Sequence, residues 1–174
     1  MCNAYILRRM VRILTALLIF MATPALAADK PAFRSTEYPL PRFVTIASDK
    51  AYVRTGPEKK YPVKWVYQYK GLPVEIVLEF EHWRKIRDKD GDEGWIHQSL
   101  LSGRRAAIIN AYEAVTMLRK PKADARPVAK LRPGVVVSLK ECDLTYCSIN
   151  ANGYKGWVNR DVLWGVYPGE IIED

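Results

Sequence analysis

Hydrophobic positions along this chain recur at the spacing of strands. Val74, Ile76 and Leu78 alternate with Glu75 and Glu79, the period of two that a half-buried strand requires. Phe43-Val44-Thr45-Ile46 and Ala106-Ala107-Ile108-Ile109 are β-prone openings. Asp90-Gly91 and Asn152-Gly153 predict two-residue hairpin turns, because Asn, Asp and Gly tolerate the positive φ that such turns impose. About five strands in roughly 60 residues, closed by hairpins, predict a small β-barrel with no long sheet edge exposed.

The pattern is written twice. Asp90-Gly91-Asp92-Glu93-Gly94-Trp95-Ile96 returns as Asn152-Gly153-Tyr154-Lys155-Gly156-Trp157-Val158, and each run leads to Leu-x-Gly, at Leu101 to Gly103 and Leu163 to Gly165. A tandem of two all-β units follows, residues 43–103 and 104–165, joined at Arg104 with no flexible tether, so that they pack as a rigid pair. The glycine before each tryptophan allows a strand to bend or a second backbone to approach. Trp95 and Trp157 themselves are read as apolar area for two thin cores, with ligand stacking as the alternative.

The first 27 residues follow another rule. Arg8, Arg9 and Arg12 precede an apolar run from Ile13 to Met21, and Ala25-Leu26-Ala27 offers a small-residue cleavage site, which together read as a secretory signal peptide. The run is shorter than the roughly 20 residues that cross a bilayer. Met10 is an alternative start, and an uncleaved amphipathic anchor is the alternative reading. Residues 28–42, with Pro31, Pro39 and Pro41, read as an extended leader, and residues 166–174 as an acidic tail carrying Glu170, Glu173 and Asp174. The expected destination is the periplasm or the exterior, with no stable membrane insertion after cleavage.

Charge then separates the two units. The whole chain has 174 residues and a formal charge of +8, but residues 43–103 hold ten cations against nine acids, while residues 104–165 hold eleven against five. The second unit is the one drawn to polyanions. Nucleic acid is set aside for an exported chain, leaving anionic cell-wall polymers, lipid headgroups or a solvated basic face.

Four motifs in the same order in both units carry a family resemblance. Tyr52-Val53-Arg54-Thr55-Gly56-Pro57, Gly71-Leu72-Pro73-Val74, Trp83-Arg84-Lys85-Ile86 and Gly94-Trp95-Ile96 resemble those of the bacterial Src-homology-3-like domains. The second unit is similar through Pro133-Gly134-Val135-Val136, Tyr146-Cys147-Ser148-Ile149 and Gly156-Trp157-Val158, whereas Leu118-Arg119-Lys120-Pro121 lacks the opening glycine. The resemblance covers nearly all of residues 43–165. It implies tandem small barrels and a binding role, with a peptidoglycan stem peptide or glycan strand as ligand.

In that register Cys142 and Cys147 flank a four-residue loop, where a hairpin would bring them within disulfide reach and export would favour oxidation. Two free thiols or a metal site are the alternatives, although His82 and His97 both lie in the other unit. Glu79 and Arg84 occupy the matching positions of the first unit, so an ion pair is expected to close there the loop that a disulfide closes in the second. Taken as exposed, such a pair is worth only ~0.2–1 kcal/mol, and the first unit should loosen there more readily.

Catalysis finds little support. The expected disulfide removes the cysteine nucleophile, the acids Asp88, Asp90, Asp92 and Glu93 lack the closing glutamate of a calcium loop, and no phosphate-cradling or zinc-protease motif occurs. Neither a cofactor nor a metal is implied, and an auxiliary domain of an enzyme is disfavoured because the chain ends at Asp174 without a catalytic domain. The expected function is a non-catalytic extracytoplasmic binding module. A periplasmic adaptor docking a wall enzyme or envelope complex is the alternative. Candidate ligand contacts are Arg54, Tyr61, Trp65, Trp83 and Tyr146, chosen because rigid aromatic rings and a guanidinium suit an extended peptide.

Overall fold

The protein is described by a computed structural model covering residues 36–173. The signal-peptide reading of residues 1–27, Cys2 and most of the leader lie outside the described residues. Among those described, no helix is long and apolar enough to cross a membrane.

The described residues are all-β and organised as two antiparallel sheets of seven strands. The first contains β1 (Arg42–Ile46), β2 (Ala51–Arg54), β3 (Val63–Tyr67), β4 (Pro73–Phe80), β5 (Trp83–Arg87), β6 (Glu93–His97) and β7 (Leu101–Ser102), in the order β3-β2-β6-β5-β4-β1-β7. The second contains β8 (Ala106–Ile109), β9 (Val115–Leu118), β10 (Pro127–Leu131), β11 (Val136–Cys142), β12 (Tyr146–Ala151), β13 (Tyr154–Asn159) and β14 (Leu163–Trp164), in the identical order β10-β9-β13-β12-β11-β8-β14.

The tandem all-β expectation holds, but each ladder is open and the sheets do not close into barrels. Edge protection comes instead from the sequence of the edges. β7 and β14 are two residues long, while β3 and β10 carry Lys64 and Lys130 and meet Pro62 and Pro127, devices that discourage pairing with another chain.

Burial follows strand parity. Val53, Val74, Ile76, Ile86 and Ile96 point into the first core, and Met117, Val137, Leu139, Ile149 and Val158 into the second. Parity also corrects the role expected of the tryptophans. Gly94 and Ile96 face inward, so Trp95 between them lies half-buried on the outer face, and Trp157 does the same between Gly156 and Val158. The glycines are the inward members of the motif. A Cβ on Gly94 would sit 2.4 Å from Val53 Cγ1, and one on Gly156 would sit 2.6 Å from the Leu118 carbonyl oxygen.

The alternation expected in β4 breaks at a bulge between Ile76 and Leu78. An extra residue reverses strand parity, so Leu78 turns outward and Glu79 turns in, fully buried. β11 bulges between Leu139 and Glu141 and brings Cys142 inward in the same way. The two hairpin pairs differ as well. Asn152 (φ 50°) and Gly153 (φ 91°) form the expected two-residue turn between the paired residues Ala151 and Tyr154. Asp90-Gly91 belongs to a longer loop in which Asp88 N–H donates to the Asp92 carbonyl and Asp88 Oδ1 accepts from the backbone N–H groups of Asp90 and Asp92. The clustered acids thus cap their own turn.

The repeats meet through β1 and the tail. All four residues Phe43–Ile46 are buried. Phe43 packs edge-on against Trp164 at 5.1 Å and tilted against Tyr167 at 4.7 Å, and Tyr167 Oη donates to Glu75 Oε1 at 2.7 Å. The tail is held by Arg160, which donates to the carbonyls of Asp143, Tyr167 and Glu170, and by a bridge between Cys142 and Ile172.

Candidate functional site

The outer face of β2, β6 and β5 gathers aromatic and cationic side chains. Tyr52 and Arg54 share one parity on β2. Arg54 stands opposite Trp95, Trp95 opposite Lys85, and His97 opposite Trp83. At the end of this face a pocket of 310 Å³ is lined by Tyr52, Arg54, Lys59, Trp83, His97 and Ser99.

Local structure positions each of these groups. Arg54 donates from Nη1 to the Tyr61 carbonyl at 2.8 Å, so its guanidinium is oriented by the following loop. His97 caps the 3₁₀ turn Gln98–Leu100 by accepting from the Ser99 N–H. Its ring stands perpendicular to Trp83 at 5.4 Å. Burial lowers the His97 pKa, and electrostatic repulsion from His82, Lys59 and Arg84 lowers it further. The imidazole is therefore neutral near pH 7 and presents a polar edge beside two permanent cations.

The candidate residues fare unequally. Arg54 and Trp83 come together in the pocket, but Trp83 is only 8% exposed and forms its wall instead of reaching outward. Tyr61 touches the site only through its carbonyl; its ring covers Gly56, where an added Cβ would lie 2.6 Å from ring carbon. Trp65 is opposite the inward-facing Val53 and packs on the core. Tyr146 lies in the second repeat at the position matching Trp83, paired with Asn159 as Trp83 is with His97. Tyr52, Lys59, His97 and Ser99 join the site without having been singled out. For Tyr52 and His97 the signal was parity, each sharing a face with a candidate already chosen.

The second repeat does not reproduce this chemistry. Thr116, Leu118 and Asn159 replace Tyr52, Arg54 and His97, so the face loses its guanidinium and an aromatic ring. A larger hollow of 460 Å³ lies between Thr36, Tyr38 and the first repeat. Its cations Arg42 and Arg84 are already committed to Glu79, which makes the smaller pocket the better ligand site.

The hairpin expectation is met with one correction. Cys142 and Cys147 form a disulfide across a register pair with Cα atoms 4.1 Å apart. Glu79 and Arg84 are the matching pair, Arg84 Nε lying 3.3 Å from Glu79 Oε1. They are buried, not exposed, because the bulge turns Glu79 inward and Thr36 and Arg42 also donate to its carboxylate. Burial alone would raise the Glu79 pKa, but these hydrogen bonds and the two guanidiniums hold it below the ordinary carboxylate range.

Two open seven-stranded sheets with paired hairpins and inward glycines define a tandem all-β fold. A family model for the bacterial SH3 domain matches residues 47–103 and again 111–165, and the chain belongs to that family. Among solved structures it is similar to NlpC2 from Trichomonas vaginalis, at 14% identity and a TM-score of 0.32, over 73% of this chain and 49% of that one. It is likewise similar to NlpC1 from Trichomonas vaginalis, at 15% identity and a TM-score of 0.31, over 74% of this chain and 47% of that one. An NlpC/P60 family protein from Bacillus cereus follows at 10% identity and a TM-score of 0.32, over 72% of this chain and 57% of that one. The chain spans about half the length of these structures. No curated protein matches it.

Proposed function

We propose that this protein is a non-catalytic, extracytoplasmic binding module that recognises a cell-wall peptide through the outer face of its first repeat. The observation that carries the reading is the convergence of Tyr52, Trp83, Arg54, Lys59 and a neutral His97 on one open pocket. Exposed aromatic area offers rigid contact at low entropic cost, and an oriented Arg54 with an exposed Lys59 beside it suits the carboxylates of an acidic extended peptide. Family membership and the disulfide support an oxidising compartment. The mature chain in this reading begins after Ala27, with repeats at residues 43–103 and 104–165.

Co-sedimentation with purified sacculi tests the proposal. Retention should persist at ~0.5 M salt, where screening suppresses simple charge attraction, and should fall at least about tenfold in the double variant Tyr52→Ala, Lys59→Ala. Tyr52 is 39% exposed and so can be truncated without opening the core. Retention that vanishes with salt, or that ignores the double variant, would overturn the groove. In that case pull-down from envelope extracts tests the adaptor reading.

A further inference from the structure

The same end of each repeat carries opposite charge. In the first repeat, antiparallel pairing of Arg54 with Trp95 brings together the loops Thr55–Pro62 and Asp88–Asp92, which hold three cations and four acids. In the second, pairing of Trp157 with Leu118 brings together the loop at residues 119–126 and the turn at Asn152-Gly153. That end holds Arg119, Lys120, Lys122, Arg126 and Lys155 against the single acid Asp124.

Its cations are available. All five are exposed, and among the described residues the ion pair here is Lys122 with Asp124 at 3.2 Å. At the matching end of the first repeat two of the three cations are paired, Lys60 with Glu58 and Lys89 with Asp90, each at 2.8 Å. The basic loop is also ordered. Arg119 N–H donates to the Arg126 carbonyl at 2.9 Å, Lys122 N–H to the Lys120 carbonyl and Ala125 N–H to the Lys122 carbonyl. The fold therefore holds two guanidinium-bearing residues across a hairpin neck, where like charges destabilise, and an external anion would relieve that repulsion. Tyr154, 62% exposed, follows the Asn152-Gly153 turn at the same end.

We propose that this end of the second repeat is a docking surface for an anionic phospholipid bilayer. Five exposed cations gathered at one end of the repeat can meet a flat field of phosphodiester headgroups. The Tyr154 ring is of the amphipathic type that settles at headgroup depth, while the tip residues Pro121, Ala123 and Ala125 carry no long apolar side chain to insert. The protein would lie on the membrane without entering it, leaving the first repeat to its wall ligand.

Co-sedimentation of the full chain with vesicles of phosphatidylglycerol and phosphatidylcholine tests this, with pure phosphatidylcholine vesicles as the uncharged arm. Each cation near such a surface changes partitioning by about fivefold. The variant Arg119→Gln, Lys120→Gln, Lys122→Gln, Arg126→Gln should therefore bind anionic vesicles at least about 100-fold more weakly, with an unchanged circular dichroism spectrum. It should keep the salt-resistant retention on sacculi, so the two proposals fail independently. Undiminished vesicle binding by the variant, as association through the residues before 36 would give, overturns the proposal. So does equal binding to uncharged vesicles, or loss of binding to anionic sacculus polymers without any binding to vesicles.

Discussion

The two repeats close the same hairpin by different chemistry. At one register position the first places Glu79 opposite Arg84, the second Cys142 opposite Cys147, and in both a bulge one turn earlier aims the pair into the core. A terminal segment then covers each pair: Thr36 donates to Glu79, and Ile172 bridges to Cys142. The fold thus asks for a cross-strand link beneath a strap and is indifferent to its kind. A disulfide constrains the unfolded chain. The buried ion pair constrains nothing there, and its stability rests on every partner of one carboxylate being present.

Removing that carboxylate should give the largest effect. Glu79→Ala strands Arg42 and Arg84, and breaking a buried pair costs about 3–5 kcal/mol, to be read from chemical denaturation; a loss below about 1 kcal/mol would mean the network is solvated. The same site sets an acid response. Because the folded pKa of Glu79 is depressed, its contribution is complete above the unfolded carboxylate value of about 4.3 and is lost as pH falls through the folded value. Acid should therefore loosen the first hairpin further than the second, whose disulfide does not titrate and whose own depressed carboxylate, Asp143, only caps its turn. Amide exchange across pH 5 to 2 would measure the difference, and Glu79→Gln should abolish it.

Next in size come the inward glycines. Gly156→Ala forces a methyl against the Leu118 carbonyl, backbone that cannot swing aside, and overpacking of this kind costs about 1–3 kcal/mol. Gly94→Ala meets the methyl of the fully buried Val53 and crowds the Arg54 carbonyl and the Trp65 ring, so thermal melts should show a loss of the same order. The disulfide falls within that range. Its loop is short, and the paired change Cys142→Ser, Cys147→Ser should cost about 2 kcal/mol. Equal losses from Glu79→Ala and from this pair would erase the distinction between buried ion pair and cross-link.

Much of this was legible in the residue order. The duplicated Gly-Trp motif, the tandem, the disulfide and its ionic counterpart could all be read by laying one repeat on the other. The site was half legible: Arg54 and Trp83 meet, whereas Tyr61, Trp65 and Tyr146 do not join them. The facing of Tyr61 and Trp65 depends on loop packing and strand register, which composition does not record, and Tyr146 holds the place of Trp83 in the other repeat.

What the sequence by itself determined is therefore local and periodic: strand content, turn chemistry at Asn152-Gly153, and two copies of one pattern, because these depend on φ preference and on alternation between neighbouring residues. Only the tertiary structure decided which side of each strand faces the core beyond the bulges. It turned Glu79 inward and Trp95 outward, left each sheet open, and gathered Tyr52, Arg54, Lys59, Trp83 and His97 on one face. A single extra residue in a strand reverses every side chain beyond it, and its position is settled by packing between strands that are distant along the chain.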